Sequence, residues 1–265
     1  MRILVTNDDG IASPGLHALA RWLDEAGHDV LVVAPQSDMS GVGAAIGRID
    51  LDHRVDVAPA SIPGAPGIRA LALNGPPGLA AMSACIGAFG DRPDLVVSGI
   101  NAGPNTGHAC LHSGTVGAAL TAATFGVSAL AVSLDVGDEQ PWATACGRVA
   151  TPLAILADAP AGTVLNLNVP AVEPDAVRGL RWAKLDPFGR VRLAVASQSD
   201  LWLQMEYRAT QADIDPCSDS GLLDRGYATL TAIRGIAEIP PDEIDDREDG
   251  APRIEARLAS GPEEG

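Results

Sequence analysis

The sequence predicts an α/β protein: a doubly wound, mostly parallel, Rossmann-like sheet with a C-terminal β-hairpin arm. Three observations predict it. Short continuous apolar runs recur at residues 3–5, 30–34, 95–97, 127–134 and 164–169, the composition of strands buried on both faces. Segments with apolar residues at helical spacing lie between them. After residue 180 the alternation of strand and helix stops, and strand-like segments follow one another.

The first strand, 3–5, runs into Asn7-Asp8-Asp9-Gly10. Ser13-Pro14 then offers an N-cap and a first helical residue. Leu16, Leu19, Ala20 and Leu23 recur at helical spacing, and Gly27 is placed to end that helix. The second strand, 30–34, completes a right-handed βαβ unit, which implies a parallel sheet. A glycine-rich loop, 36–47, follows it. Residues 49–58 alternate weakly, 61–67 is a Pro/Gly loop and 68–73 is a strand. A helix from Pro77 presents Leu79, Met82, Cys85 and Ile86 to the core. The strand at 95–97 ends in Ser98-Gly99, and a helix beyond Ser113 buries Val116, Ala119, Leu120 and Ala123. A strand at 127–134 precedes a helix over 141–157, kinked near Pro152. The strand at 164–169 closes at Pro170. Strands at 190–196 and 201–209 pair, with Val191, Leu193 and Val195 on one face and Leu201, Leu203 and Met205 along theirs. A last strand covers 227–233.

Chemistry concentrates in loops at the carboxyl ends of strands, where open α/β sheets bind ligands. Asp8 and Asp9 are adjacent carboxylates, and Gly10 permits the turn that aims both at one point. Such an oxygen site suits a hard cation, Mg²⁺ or Mn²⁺. The plain alternative is a turn of typical composition. The loop at 36–47 can bring backbone amides close to an anion. In residues 98–117, SGINAGPNTGHACLHSGTVG, Ser113 caps a helix whose first turn, Gly114 and Thr115, has free amides for an anion. Capping alone also accounts for Ser113. His108, Cys110 and His112 raise the possibility of zinc, but the segment is glycine-flanked and lacks the glutamate that follows the first histidine in helical zinc motifs. His17, His28 and His53 receive no role.

Net charge is −16, with 18 basic and 34 acidic residues. That argues against a nucleic-acid polymer or an anionic membrane as partner, since both need a basic footprint. A small phosphorylated substrate stays compatible, because a bound cation reverses the local field. Residues 242–265 contain nine acidic and three basic side chains and read as a mobile tail. No apolar run is long enough to span a bilayer. No basic leader precedes the first strand, and the four cysteines form no Cys-x-x-Cys pair. These features suggest reduced thiols and a cytoplasmic protein.

Four stretches together resemble the SurE (survival protein E) family of metal-dependent 5′/3′-nucleotidases. They are residues 3–10, Ser40-Gly41, residues 98–117 and LNLNVP at 165–170. Asp219 with GYATLT at 226–231 is a weaker fifth. The resemblance implies a SurE-like fold and one divalent cation per subunit held by Asp8, Asp9, Ser40 and Asn101. It implies catalytic roles for Asp8, Asp9 and Asn101. Ser40, Gly41, Asn105, Gly107, His112, Ser113, Gly114 and Thr115 then face the substrate phosphate. Water attack and attack by an aspartate both stay open. Three departures stand out: Ala44 and Ala45 replace an Asn-Ser pair, residues 75–80 lack the usual Gly-Thr-Pro-x-Asp-Cys pattern, and His112 replaces tyrosine.

The organisation then reads as an α/β catalytic domain over 1–186, a β-rich oligomerisation arm and return strand over 187–235, and an acidic tail over 236–265. An isolated hairpin is marginal in water, so the arm needs a partner. The resemblance implies a homodimer or homotetramer formed through it. Two other functions compete: a nucleotide or metal sensor without turnover, and a nucleotide-sugar glycosyltransferase, which also needs a second nucleotide-binding domain.

Overall fold

The computed structural model describes residues 1–49, 54–187, 190–209 and 213–237. Its elements in chain order are β1 (Arg2–Thr6), α1 (Pro14–Glu25), β2 (Asp29–Pro35), β3 (Val57–Ala60), β4 (Arg69–Leu73), α2 (Pro77–Cys85), β5 (Leu95–Ala102), α3 (Gly114–Thr124), β6 (Ser128–Leu134), α4 (Trp142–Cys146), α5 (Ala150–Asp158), β7 (Val164–Val169), β8 (Leu180–Trp182), β9 (Val191–Gln198), β10 (Leu203–Ala209), α6 (Asp219–Asp224) and β11 (Ala228–Ile233). Met1–Ile233 form one compact unit. His53 and the tail beyond residue 237 lie outside the described residues.

Nine strands form one sheet in the order β3-β4-β2-β1-β5-β6-β7-β11-β8. From β4 to β7 every pairing is parallel. The edge strand β3 is antiparallel to β4, and β11 is antiparallel to β7. Alternate residues of β1 show why the sheet is wound on both faces. Ile3 and Val5 enter a core with Leu16, Leu19 and Leu23 of α1 and Leu153 and Leu156 of α5. Leu4 enters the opposite core with Leu79 and Ala80 of α2 and Val116 and Ala119 of α3. The predicted doubly wound, mostly parallel sheet is therefore the observed one, with β9 and β10 as a separate antiparallel pair. Among the described residues no helix is long and apolar enough to cross a membrane.

Several local expectations change. The helix at 141–157 is two helices, with the break at Gly147–Val149 and Pro152 in the first turn of α5. Proline is tolerated there because that N–H has no intrahelical acceptor. The buried side of α2 is Leu79, Ala80, Ala81, Ala84 and Cys85, while Ile86 lies past the helix end and is exposed. Helix α3 is buried nearly all round, but Leu120 and Ala123, expected in its core, are only partly covered. Ser13 sits at the N-cap of α1 without a side-chain bond. The strand expected at 95–97 continues to Ala102, with a register shift between Ser98 and Asn101. The last strand, β11, pairs within the main sheet, between β7 and β8. In the hairpin, the register shifts between Gln204 and Met205, which interrupts the predicted stripe Leu201-Leu203-Met205. Leu201 falls in the turn.

Candidate functional site

The parallel strands deliver their carboxyl ends to one edge, and that edge gathers the polar residues. Asn7 and Asp8 are buried at the end of β1. Gly10 there has φ +95°, the left-handed region that favours glycine. A Cβ on Gly10 would also lie 3.0 Å from the backbone of Ser37, so the β1 turn and the loop after β2 pack backbone to backbone. Two hydrogen bonds close that junction: Ile11 N to the Pro35 carbonyl at 2.7 Å and Met39 N to the Asp8 carbonyl at 2.7 Å. His17, assigned no role from sequence, braces the same turn, its Nε2 donating to the Ile11 carbonyl at 2.8 Å.

Asp8 is only 3% exposed. Its Oδ2 accepts from Gly114 N at 3.1 Å, and its Oδ1 accepts from the Thr115 hydroxyl. The amides at the start of α3 thus meet an anion, and in this structure it is the protein's own carboxylate. Gly114 is the residue that permits the approach: a Cβ there would lie 2.6 Å from Asp8 Cβ. The Thr115 hydroxyl also reaches Asn101 Oδ1 at 3.3 Å. Asn101 Nδ2 donates to the Gly103 carbonyl at 2.7 Å, which fixes the amide with its oxygen toward Thr115. Ser113 caps α3, its Oγ accepting from Val116 N at 3.1 Å.

Burial raises the Asp8 pKa, opposed by the Thr115 hydroxyl and the amides of the α3 turn. Asp9 is pushed further, to about 7, first by burial and then by the negative charges of Asp8 and Asp38, with Asn7 easing it. Its Oδ2 is buried without a hydrogen-bond partner. Ser40 is exposed and joins the cluster through Asp38, whose Oδ1 accepts from Ser40 N at 2.8 Å and Ser40 Oγ at 2.6 Å. A partnerless buried carboxylate oxygen beside a second carboxylate fits a hard divalent cation.

A second polar group stands beside the first. The Asn105 carbonyl accepts from Asn166 Nδ2 at 2.8 Å and Asn168 Nδ2 at 3.0 Å, and Asn105 N donates to Asn168 Oδ1 at 2.7 Å. Asn105 Nδ2 donates to Ser133 Oγ at 2.8 Å. Gly107 N donates to Asp219 Oδ2 at 2.8 Å, so helix α6 holds the following turn. His112 is exposed, and its carbonyl accepts from Gly43 N at 3.1 Å, tying the 36–47 loop to the start of α3. Gly41 lies exposed on that loop.

The structure leaves no basis for zinc at His108, Cys110 and His112. Cys110 is buried, donates Sγ–H to the Asn105 carbonyl at 3.2 Å, and has its pKa pushed up to about 12. Among the described residues no three His, Cys, Asp or Glu side chains are grouped to hold a metal, so a cation at this edge would need serine or asparagine oxygens beside the two aspartates. Four positioning residues received no role from the sequence: Asp38, Ser133, and Asn166 and Asn168 of the LNLNVP stretch. The signal for the asparagines was present, since Asn166 and Asn168 recur with period two in an otherwise apolar strand.

The family model described as Survival protein SurE matches residues 3–188. A 5′-nucleotidase SurE of Symbiobacterium thermophilum is 36% identical over 242 residues, covering 87% of this chain and 91% of its own. The same-named protein of Gloeobacter violaceus is 39% identical over 243 residues, covering 88% and 90%. The crystal structure of the SurE protein from Aquifex aeolicus superposes with a TM-score of 0.71 at 23% identity, covering 88% of this chain and 93% of that one; at that identity it speaks to the fold.

Proposed function

The chain belongs to the SurE family, and on that premise we propose that it is a divalent-metal-dependent phosphomonoesterase of the 5′/3′-nucleotidase type, hydrolysing nucleoside monophosphates. The observation that carries the reading is Asp9: a carboxylate with one oxygen buried and partnerless, beside Asp8, at the edge where this fold places ligands. The curated relatives support it, since they are 5′-nucleotidases aligned over about nine-tenths of their length. Neither a sensor without turnover nor a glycosyltransferase finds support among them.

In this reading Asp8, Asp9, Ser40 and Asn101 hold one Mg²⁺ or Mn²⁺ ion. A bound divalent cation supplies charge neutralisation and Lewis acidity to a phosphoryl oxygen. The chain's own residues do the positioning on which phosphoryl transfer depends. Asp8 is locked by Gly114 and Thr115. Ser40 gives its hydrogen to Asp38, leaving its lone pairs free for a cation. Asn101 spends its amide hydrogen on Gly103, which leaves Oδ1 as the donor atom. Ser40, Gly41, Asn105, Gly107, His112 and the Ser113-Gly114-Thr115 turn then bound the substrate phosphate. The asparagine pair of β7 and Asp219 keep Asn105 and Gly107 in place.

The remaining parts of the reading are a cytoplasmic location, consistent with four free cysteines, and a homodimer or homotetramer built through the arm. Leu193, Val195 and Met205 of the hairpin are 58%, 44% and 44% exposed, an apolar surface that a second copy would cover. The deciding experiment is phosphate release from a panel of phosphomonoesters with Mg²⁺ or Mn²⁺, with and without chelator. Nucleoside monophosphates are expected to lead the panel, and only without chelator. Absence of chelator-sensitive release from every nucleotide tested overturns the proposal.

A further inference from the structure

Beyond the Asp8 cluster, three arginines gather around one ring. The guanidinium carbons of Arg178, Arg181 and Arg225 lie 4.9, 5.0 and 5.8 Å from the centroid of Tyr227. All three arginines are exposed and the tyrosine is half-buried. Among the described residues each guanidinium makes one hydrogen bond, to a backbone carbonyl: Arg178 to Arg225 at 3.3 Å, Arg181 to Leu180 at 3.0 Å and Arg225 to Pro216 at 3.3 Å. Five donors per guanidinium leave most of them unused.

Among the described residues none of the three forms an ion pair. Arg21, Arg69, Arg92 and Arg148 likewise bond backbone carbonyls, but only here do three such guanidiniums share one ring among the described residues. In a chain with 34 acidic and 18 basic residues, carboxylates are abundant. Cation–π attraction of about 0.5–1 kcal/mol per exposed contact holds like charges together here, yet it satisfies few N–H groups. A cluster of this kind presents several guanidinium forks to one point.

We propose that Arg178, Arg181 and Arg225 bind a phosphate group at a second site, separate from the Asp8 cluster. One carboxylate fills one guanidinium fork, whereas a tetrahedral dianion offers oxygens to several forks at once. A small ligand fits better than a polyanion, since a net charge of −16 repels any long anion that extends past the patch. The location follows from register. Thr229 of β11 opposes Asn168 of β7, and Ala228 opposes Leu180 of β8. Tyr227 therefore stands by the carboxyl end of β7, on the sheet edge that carries Asp8. Four strand spacings separate β11 from β1, about 19 Å at the usual 4.8 Å each. The ligand class is inorganic phosphate or the phosphate of a nucleotide.

The test is a titration followed by nitrogen-15 NMR of the arginine side chains. Inorganic phosphate is added to the full chain carrying Asp9→Asn, in chelator, so that the Asp8 cluster contributes nothing whether or not the nucleotidase reading holds. Saturable shifts at Arg178, Arg181 and Arg225 are expected, absent with sodium chloride at matched ionic strength. A parallel titration with adenosine monophosphate assigns the source: shifts at the same arginines mean that the esterified group is also accepted, and shifts with inorganic phosphate alone mean that the free ion is the ligand. The Arg178→Gln, Arg181→Gln, Arg225→Gln triple variant should lose the response while the chain with Asp9 intact keeps its metal-dependent turnover. Arg225→Gln alone, with an otherwise unchanged spectrum, should weaken binding several-fold. Shifts that do not saturate, that chloride reproduces, or that survive in the triple variant overturn the proposal.

Discussion

The Asp8 edge and the hairpin arm invert the usual partition of side chains in opposite senses. At the edge, Asn7, Asp8 and Thr115 are buried, and one Asp9 oxygen is sealed from water without a partner. On the arm, Val195 faces Met205 across the ladder, and both stand open to solvent with Leu193. A buried unpaired charge and an exposed apolar stripe are each unfavourable in isolation. In the proposed function each would be relieved by something outside the chain, and the two remedies would differ in kind: a cation for the edge, a second apolar surface for the arm. Stability and activity should therefore respond differently when each region is altered.

The largest effect is expected at the edge. Asp9→Asn removes a charged donor, and turnover with Mg²⁺ or Mn²⁺ should fall on the order of 10³-fold, the several kcal/mol that metal assistance supplies. The metal-free variant should melt no lower than the parent, because a buried charge facing Asp8 and Asp38 is gone. Steady-state rates and melts in chelator measure the two. Retained turnover in a folded variant breaks the contrast at once.

The arm should behave the other way. Leu193→Ser with Met205→Ser removes apolar surface and leaves the Asp8 edge untouched. Light scattering should show the parent as an oligomer and the double variant as a smaller species that still releases phosphate in a chelator-sensitive manner. A monomeric parent would mean that the arm folds without a partner. Arg190, which pairs with Asp135 at 2.8 Å and Asp224 at 2.9 Å, anchors the base of the hairpin and should be left intact in this comparison.

The third prediction sharpens the edge alone. Asp9 titrates at about 7 in the folded chain against 3.8 for the ordinary side chain. A carboxyl with a raised pKa holds a proton in the folded state that the unfolded chain releases, so the stability it contributes is full at low pH. In metal-free protein that contribution is lost as pH rises from about 4 to about 7. Asp8 is shifted in the same direction. Melts in chelator should thus drop between pH 5 and pH 8, and Asp9→Asn should flatten the drop. Added Mg²⁺ or Mn²⁺ should raise the melting temperature more at pH 8 than at pH 5. A metal effect that is equal at both would disconnect Asp9 from the ion.

These regions also differ in how far the sequence disclosed them. The acidic turn was legible because its chemistry is local: two adjacent carboxylates, a glycine that reaches positive φ, and a strand before them. The sheet was legible because two-sided burial forces continuous apolar runs. Partners distant in sequence were harder to see. Asp38 holding Ser40, and Asn166 and Asn168 holding Asn105, depend on which loops the sheet order brings together. The break between α4 and α5 was misplaced because Pro152 draws attention as a helix breaker, although it is harmless in a first turn. The hairpin stripe was overextended because period-two reasoning assumes an uninterrupted ladder, and a bulge at Gln204/Met205 breaks it.

The smallest effect concerns Ser113, at the boundary between fold and site. Its Oγ accepts from Val116 N at 3.1 Å, and losing such a cap costs about 1 kcal/mol. Ser113→Ala should accordingly lower the melting temperature by about 2–4 °C for a chain of this length. A serine oxygen that accepts one hydrogen bond still has its own hydrogen to donate. In the proposed function that hydrogen points to the substrate phosphate, and a hydrogen bond to a charged group contributes about 1.5–3 kcal/mol. The variant should therefore lose about ten- to a hundredfold in kcat/KM beyond what its stability explains. Ser113→Thr keeps the hydroxyl and should restore both quantities. A melting shift with unchanged kinetics would confine Ser113 to capping and leave the phosphate to Asn105, His112 and the first-turn amides of α3.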